Sequence, residues 1–277
     1  MNRQDERILT LLAIQRATLV TQVAVWLDVS DDTALRRLRR LAGTTKDERA
    51  SPDDGLVQIQ RPFAGDPATV TLTNRGFAAL GSQMHATEVK WREHRHDVGV
   101  TWLWLAAQHG SFGPLATVVT EREMRSADAR AERLAGADDA DARADRCMPT
   151  RFAVESPVGG EERRRSHYPD LLLVTPGGHR VAVELELTRK SNTALRTVLE
   201  RYRDDDRIES ILYVVGDPGI AAQIRDAVRD PELGLADRVQ IRLVRERPPD
   251  ELTWISAGRI AALDRPAEHG RAAEAAL

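Results

Sequence analysis

The chain of 277 residues is 42% hydrophobic and 30% charged with a formal net charge of -3, the composition of a water-soluble globular protein with one large or two modest domains. No apolar run approaches the roughly 20 residues of a membrane span, and the near-neutral balance excludes a polycation steered to a polyanion by its overall field. Cys147 is the single cysteine, which excludes an internal disulfide framework or a thiolate-rich zinc site. The opening Met-Asn-Arg-Gln-Asp-Glu lacks the apolar core of a signal peptide, so a cytoplasmic location is expected.

Ile8, Leu11 and Leu12, with Leu19 beyond them, predict an amphipathic helix and its exit. Thr21 is the expected N-cap of a short second helix that turns Val23, Ala24 and Leu27 inward, and Asp28-Val29-Ser30 turns the chain. Ser30 caps a third helix whose first turn carries Asp31 and Asp32, where negative charge suits the helix N-terminus. There Leu35, Leu38 and Leu41 or Ala42 share one face, and Arg36, Arg37 and Arg40 point mainly outward beside Arg39. Gly43 ends the helix. A long acidic link containing Lys46, Asp47, Glu48, Pro52, Asp53 and Asp54 leads to strands Leu56 to Gln60 and Thr69 to Thr73, joined by a turn-rich stretch with Pro62, Gly65 and Pro67. That link is expected to be mobile. Leu72-Thr73-Asn74-Arg75-Gly76 then starts a further helix and looks like the close of many bacterial winged-helix domains. Residues 1–87 thus predict a winged helix-turn-helix with Arg36, Arg37, Arg39 and Arg40 as the double-stranded DNA contacts, because guanidinium forks serve both phosphates and guanine edges. An arginine row is also a common form of solvated helix surface; the order of the elements favours DNA.

From Glu88 to Gln108 one long helix is predicted, with Trp91, Val98, Trp102 and Leu105 in its buried stripe. His94 and His96, two apart on a helix, point to different faces and make poor metal co-ligands. Leu115 to Thr120 reads as a strand and Glu121 to Arg125 as a charged helical turn. Residues 126–150, rich in alanine, aspartate and arginine, read as a flexible insertion or a poorly packed helix, with Cys147 at its end and no partner nearby in sequence.

The chemistry-bearing stretch follows. Asp170 opens a short apolar strand to Val174, Pro176-Gly177-Gly178 turns it, and Arg180 to Leu187 returns antiparallel. Val181, Val183, Leu185 and Leu187 share one face of the return strand; Glu184 and Glu186 share the other with Ala182. Three converging carboxylates require a divalent cation, a proton or basic groups to offset their repulsion. Thr188 is the expected cap of a helix to about Asp205, with Leu195, Val198, Leu199 and Tyr202 inward. Ile211 to Val215 is a buried strand, a helix runs to Val228, Val239 to Val244 is a further strand, and the tail from Pro266 is expected to fray. Strands alternating with helices predict an α/β sheet covered by helices over residues 88–265.

Pro169-Asp170 and Glu184 resemble the PD-(D/E)xK nuclease superfamily, a restriction-endonuclease-like α/β fold. Glu186 stands where the superfamily has lysine, which departs from the pattern. The resemblance implies Asp170, Glu184 and Glu186 as ligands of Mg2+ and Lys190 as a relocated catalytic cation. The competing reading pairs the glutamates with Arg180, Arg189 or other basic residues in a nuclease-shaped domain without activity, and the displaced lysine favours it. Over nearly the whole chain, the order of "LTNRG", "HRHDVGVTWLWLA" from His94, "TEREMR" from Thr120, "HYPDLLLV" from His167 and "VAVELELTRKS" from Val181 is similar to the replication-relaxation family of plasmids and integrative mobile elements. That resemblance implies sequence-directed DNA binding in replication, mobilisation or regulation of such an element. The alternative is a metal-dependent endonuclease or nickase. Partners left open are a relaxase or replication protein and a second copy of the chain.

Overall fold

A computed structural model of the chain describes residues 2–43, 55–63, 65–137, 152–154 and 166–244. The acidic link at 44–54, Cys147 and the tail from Pro266 lie outside the described residues. The protein is mixed α/β and divides into two compact units, Met1–Leu105 and Ala106–Leu277.

The first unit begins with α1 (Arg3–Ile14), capped by Asn2, whose Oδ1 accepts the Asp5 amide at 2.9 Å while Asp5 accepts the Asn2 amide at 3.3 Å. This reciprocal box satisfies two otherwise orphan donors. Strand β1 (Thr18–Leu19), α2 (Val20–Leu27), α3 (Asp31–Leu41), β2 (Val57–Gln60), β3 (Thr69–Leu72) and α4 (Asn74–Ala79) follow. The three strands form one antiparallel sheet in the order β1-β3-β2, with Val57 opposite Leu72 and Thr18 opposite Val70. Helix α2 starts a residue before its expected cap: Gln22 reaches back to accept the Leu19 amide at 2.8 Å, so Thr21 lies inside the helix. Asp28 ends α2 in the left-handed region, φ 56°, where aspartate is tolerated better than most residues.

Helix α5 (His94–Gln108) is shorter than the predicted span from Glu88, and Trp91 precedes it in a turn. The first unit runs past residue 87 because this helix packs into it. Trp104 meets Trp26 edge-on with centroids 5.0 Å apart, Gln22 Nε2 donates to the Val98 carbonyl at 2.8 Å, and Thr101 Oγ1 donates to the Ala17 carbonyl at 3.1 Å. His94 is buried and shares a 2.8 Å hydrogen bond with Thr69 Oγ1.

The second unit holds β4 (Thr117–Thr120), α6 (Glu121–Ala137), β5 (Leu171–Val174), β6 (Arg180–Glu186), α7 (Asn192–Asp204), β7 (Ser210–Val215), α8 (Pro218–Val228) and β8 (Val239–Leu243). Its five strands lie in chain order, β4-β5-β6-β7-β8; the first two pairings are antiparallel and the last two parallel. The predicted hairpin is present, with Leu171 opposite Val183. Of the two readings of residues 126–137, a flexible insertion or a helix, the helix is the one present: they continue α6. Met124 is fully buried, and the buried Asp128 carboxylate accepts the amides of Phe152 and Ala153 at 3.1 and 2.9 Å. Helix α7 is capped by Ser191, whose Oγ accepts the Ala194 amide at 3.2 Å, rather than by Thr188.

Both faces of the central strands β5, β6 and β7 are largely buried. Leu171, Leu173, Val181, Val183, Leu185, Leu212 and Val214 line one face. The other carries Leu172, Ala182, Ile211, Tyr213 and Val215 into a core shared with Leu195, Leu199 and Tyr202 of α7 and Ile220, Ala221 and Ile224 of α8. No helix among the described residues is long and apolar enough to cross a membrane.

Candidate functional site

Two groups of polar side chains stand out, one in each unit. In the first, α3 buries Ala34, Leu38 and Leu41 while Leu35 is half-buried. That face directs Arg36, Arg39 and Arg40 toward solvent but brings Arg37 to its flank, where the side chain is 26% exposed. The expectation that Arg37 points away from the core is thereby corrected. Arg40 Nη2 donates to Asp5 Oδ1 at 2.6 Å, and Arg37 Nη1 lies 3.9 Å from the same oxygen. The Asp5 side chain is only 8% exposed, so this pair is screened less than a surface pair would be. The basic row therefore has two parts: Arg37 and Arg40 lean on the N-terminal helix, and Arg36 and Arg39 face outward.

In the second unit, β6 places Glu184 and Glu186 on one face at the end of the strand, each nearly buried. Asp170 immediately precedes β5, next to Leu171, which pairs with Val183 of β6. Its Oδ2 accepts the Leu185 amide at 2.8 Å. Glu184 Oε1 accepts the Tyr202 hydroxyl, and His167 Nε2 lies 2.8 Å from the same oxygen. Glu186 Oε1 accepts Lys190 Nζ. The predicted quartet Asp170, Glu184, Glu186 and Lys190 is thus assembled at one end of the hairpin, and every member has a protein partner.

Electrostatics follow from this crowding. Burial holds the Glu186 carboxyl above its usual range, with Lys190 opposing that rise and Glu184 and Asp170 adding to it. Burial alone would lower Lys190, but the carboxylates of Glu186, Glu184 and Asp170 outweigh it and hold the ammonium above its ordinary value. Burial and the Glu184 charge raise the Tyr202 phenol well above its usual value, so it remains a donor. Tyr213, paired across the parallel strands with Glu184, is raised by burial and by the same carboxylates, and its buried hydroxyl has no hydrogen-bond partner among the described residues.

His167, Tyr202, Tyr213 and Asp128 are absent from the sequence-derived site. His167 is held by an isolated bridge to Val154, with amide–carbonyl distances of 2.7 and 3.2 Å, and Asp128 secures the Val154 segment. Its position in "HYPD", three residues before Asp170, was the available signal. Tyr202 carried only an inward helical position, and its hydroxyl chemistry had no local marker.

The three acids do not fit a metal ion as they stand. Among the described residues no group of three or more His, Cys, Asp or Glu side chains is arranged to hold one. The acids instead spend oxygens on Tyr202, His167, Leu185 and Lys190. Arg180, named as a possible counter-charge, uses its amide to bind Glu209 Oε2 at 2.7 Å, and its guanidinium lies 5.6 Å from the centre of the Phe152 ring. The chain matches no protein-family model, no curated protein and no solved structure.

Proposed function

We propose that this protein binds double-stranded DNA through its first unit, a winged helix-turn-helix with α3 as the recognition helix, and that it serves replication, mobilisation or regulation of a plasmid or other mobile element. The observation that carries the DNA reading is the exposed Arg36 and Arg39 on a helix that is the last of three before an antiparallel β2–β3 hairpin. A helix presented in this way enters a major groove, and guanidinium groups reach phosphates and guanine edges there. The net charge of -3 makes the contact local rather than a property of the whole field.

The second unit, in this proposal, is a PD-(D/E)xK-like domain without nuclease activity. The protein donors already engaged with Asp170, Glu184 and Glu186 support that reading.

Fluorescence anisotropy with labelled duplexes at several salt concentrations tests DNA binding. Arg36→Ala combined with Arg39→Ala is expected to weaken binding and reduce the slope of log K against log salt by about 2, since each lost phosphate contact removes about 0.9. Unchanged affinity and slope in a folded double variant would reject α3 as the contact. Supercoiled plasmid incubated with Mg2+ or Mn2+ tests the second unit: nicking that disappears in Asp170→Ala and Glu184→Ala would replace the non-catalytic reading with that of a metal-dependent nuclease.

A further inference from the structure

We infer that Lys190 is the built-in counter-ion of the Asp170–Glu184–Glu186 cluster, occupying the electrostatic role a divalent cation would fill and keeping the second unit independent of metal. The inference rests on reading that unit as a nuclease-like domain without catalysis, and it names what replaced the metal.

Its basis is positional. Lys190 follows β6 by four residues and folds back so that Nζ reaches Glu186. The return is fixed by α8, because Gln223 Nε2 donates to the Lys190 carbonyl at 2.8 Å and to Asn192 Oδ1 at 2.7 Å. A lysine on an unrestrained surface loop would lose rotamer entropy to hold such a pose; here the backbone beneath it is tied down. The ammonium feels all three carboxylates, Glu186 most strongly, then Glu184 and Asp170.

Glu184 completes the arrangement from the other side. It accepts from the Tyr202 hydroxyl, and His167 Nε2 lies 2.8 Å from the same oxygen, so its charge is met without a metal. Take away the lysine, and the carboxylates of Asp170, Glu184 and Glu186 are left without its charge. Theirs is an oxygen-only set of the kind Mg2+ and Mn2+ prefer, and its uncompensated charge would favour filling it.

The test uses the full chain and the metal alone, with thermal unfolding followed by circular dichroism in Mn2+, in Mg2+ and in chelator. Wild type is expected to melt at one temperature in all three. Lys190→Ala is expected to melt lower in chelator and to gain about 5 °C, saturably, on adding Mn2+. Adding Asp170→Asn to that variant should abolish the gain, and Lys190→Arg should remain indifferent to metal. Should the alanine variant not fold, Lys190→Gln keeps most of the side-chain length without the charge and carries the same expectation.

A saturable Mn2+ shift in wild type, or none in a folded Lys190→Ala or Lys190→Gln, overturns the inference. The two readings fail separately. Plasmid nicking by wild type removes the non-catalytic reading, whereas an unshifted lysine variant removes the counter-ion.

Discussion

Glu184 is a carboxylate at 3% exposure, and a charge so placed is tolerated only where donors replace its water. Tyr202 and His167 both converge on one of its oxygens. Removing the phenol oxygen in Tyr202→Phe leaves the ring packed and the carboxylate short of a donor, which costs about 1–3 kcal/mol. A urea midpoint that drops accordingly checks this; a midpoint equal to wild type would show that the Tyr202 donor contributes nothing.

Asp205 gives a prediction in pH. Burial would raise its carboxyl, but hydrogen bonds from the Arg207 side chain and backbone, with the Arg207 charge, hold it below the ordinary 3.8. A carboxyl depressed in the folded state contributes stability that is present above the unfolded value and lost as pH falls through the folded one. The stability difference between wild type and Asp205→Asn is therefore constant near neutrality and shrinks below pH 3.8. Denaturation curves taken between pH 5 and pH 2 measure it, and a gap that persists through the acid limb would sink the assignment. The acids of β6 were legible in the sequence because alternation fixes which side chains share a face. Their partners were not: Tyr202 lies 18 residues from Glu184 and Arg40 lies 35 from Asp5, and no local pattern encodes contacts at such separations.

At the scale of elements, the short motifs mark helix starts. In "LTNRG", Thr73 caps α4 by accepting the Gly76 amide at 3.1 Å and donates to the Gly55 carbonyl at 2.7 Å. Gly76 lies so close to the start of β2 and the end of β3 that a Cβ there would stand 2.3 Å from the carbonyl oxygen of Leu56, just before β2, and 2.4 Å from Leu72 Cδ1. Neither the backbone nor a packed leucine gives way cheaply, so Gly76→Ala is expected to destabilise the first unit by roughly 1–3 kcal/mol, despite alanine's better helix propensity. A thermal midpoint at or above that of wild type would contradict it. In "TEREMR", Thr120 and Glu123 form the box that opens α6, with the Thr120 amide on Glu123 Oε2 at 2.9 Å and the Glu123 amide on Thr120 Oγ1 at 3.3 Å.

Periodicity located most of the described helices and strands to within a few residues but missed the two-residue β1 and began α5 six residues early, at Glu88 rather than His94; three further differences each have a cause. Gln22 outcompetes Thr21 by capping from within α2. Ser191 supersedes Thr188 because the intervening residues carry Lys190 back to the sheet end. The alanine-rich stretch after Arg125 lacks an apolar stripe, yet Met124 and Asp128 anchor α6 to the second unit, one by burial and one by two backbone amides. Alanine's high helix propensity is enough for the rest.

For the whole molecule, the division into units decides what can be cut out. The order of the winged-helix motifs placed the boundary at residue 87, but α5 supplies part of the first unit's interior. A fragment ending at 87 would lose Trp104 from Trp26, and removing a packed tryptophan costs about 3–5 kcal/mol. It would also strip partners from the buried Gln22 amide and the Ala17 carbonyl, at about 1–3 kcal/mol each where no water replaces them. Those losses rival the roughly 5–15 kcal/mol that holds a whole domain. Fragment 1–108, which completes α5, is therefore expected to unfold in one cooperative transition and to retain the salt-dependent duplex affinity of the full chain, whereas fragment 1–87 should show no cooperative melt. Circular dichroism of the two fragments with anisotropy on the longer one checks both halves. If fragment 1–87 melts sharply at the same temperature as 1–108, α5 is an accessory rather than a structural part of the first unit; if 1–108 folds but loses the affinity shown by the full chain, duplex binding draws on residues beyond the first unit.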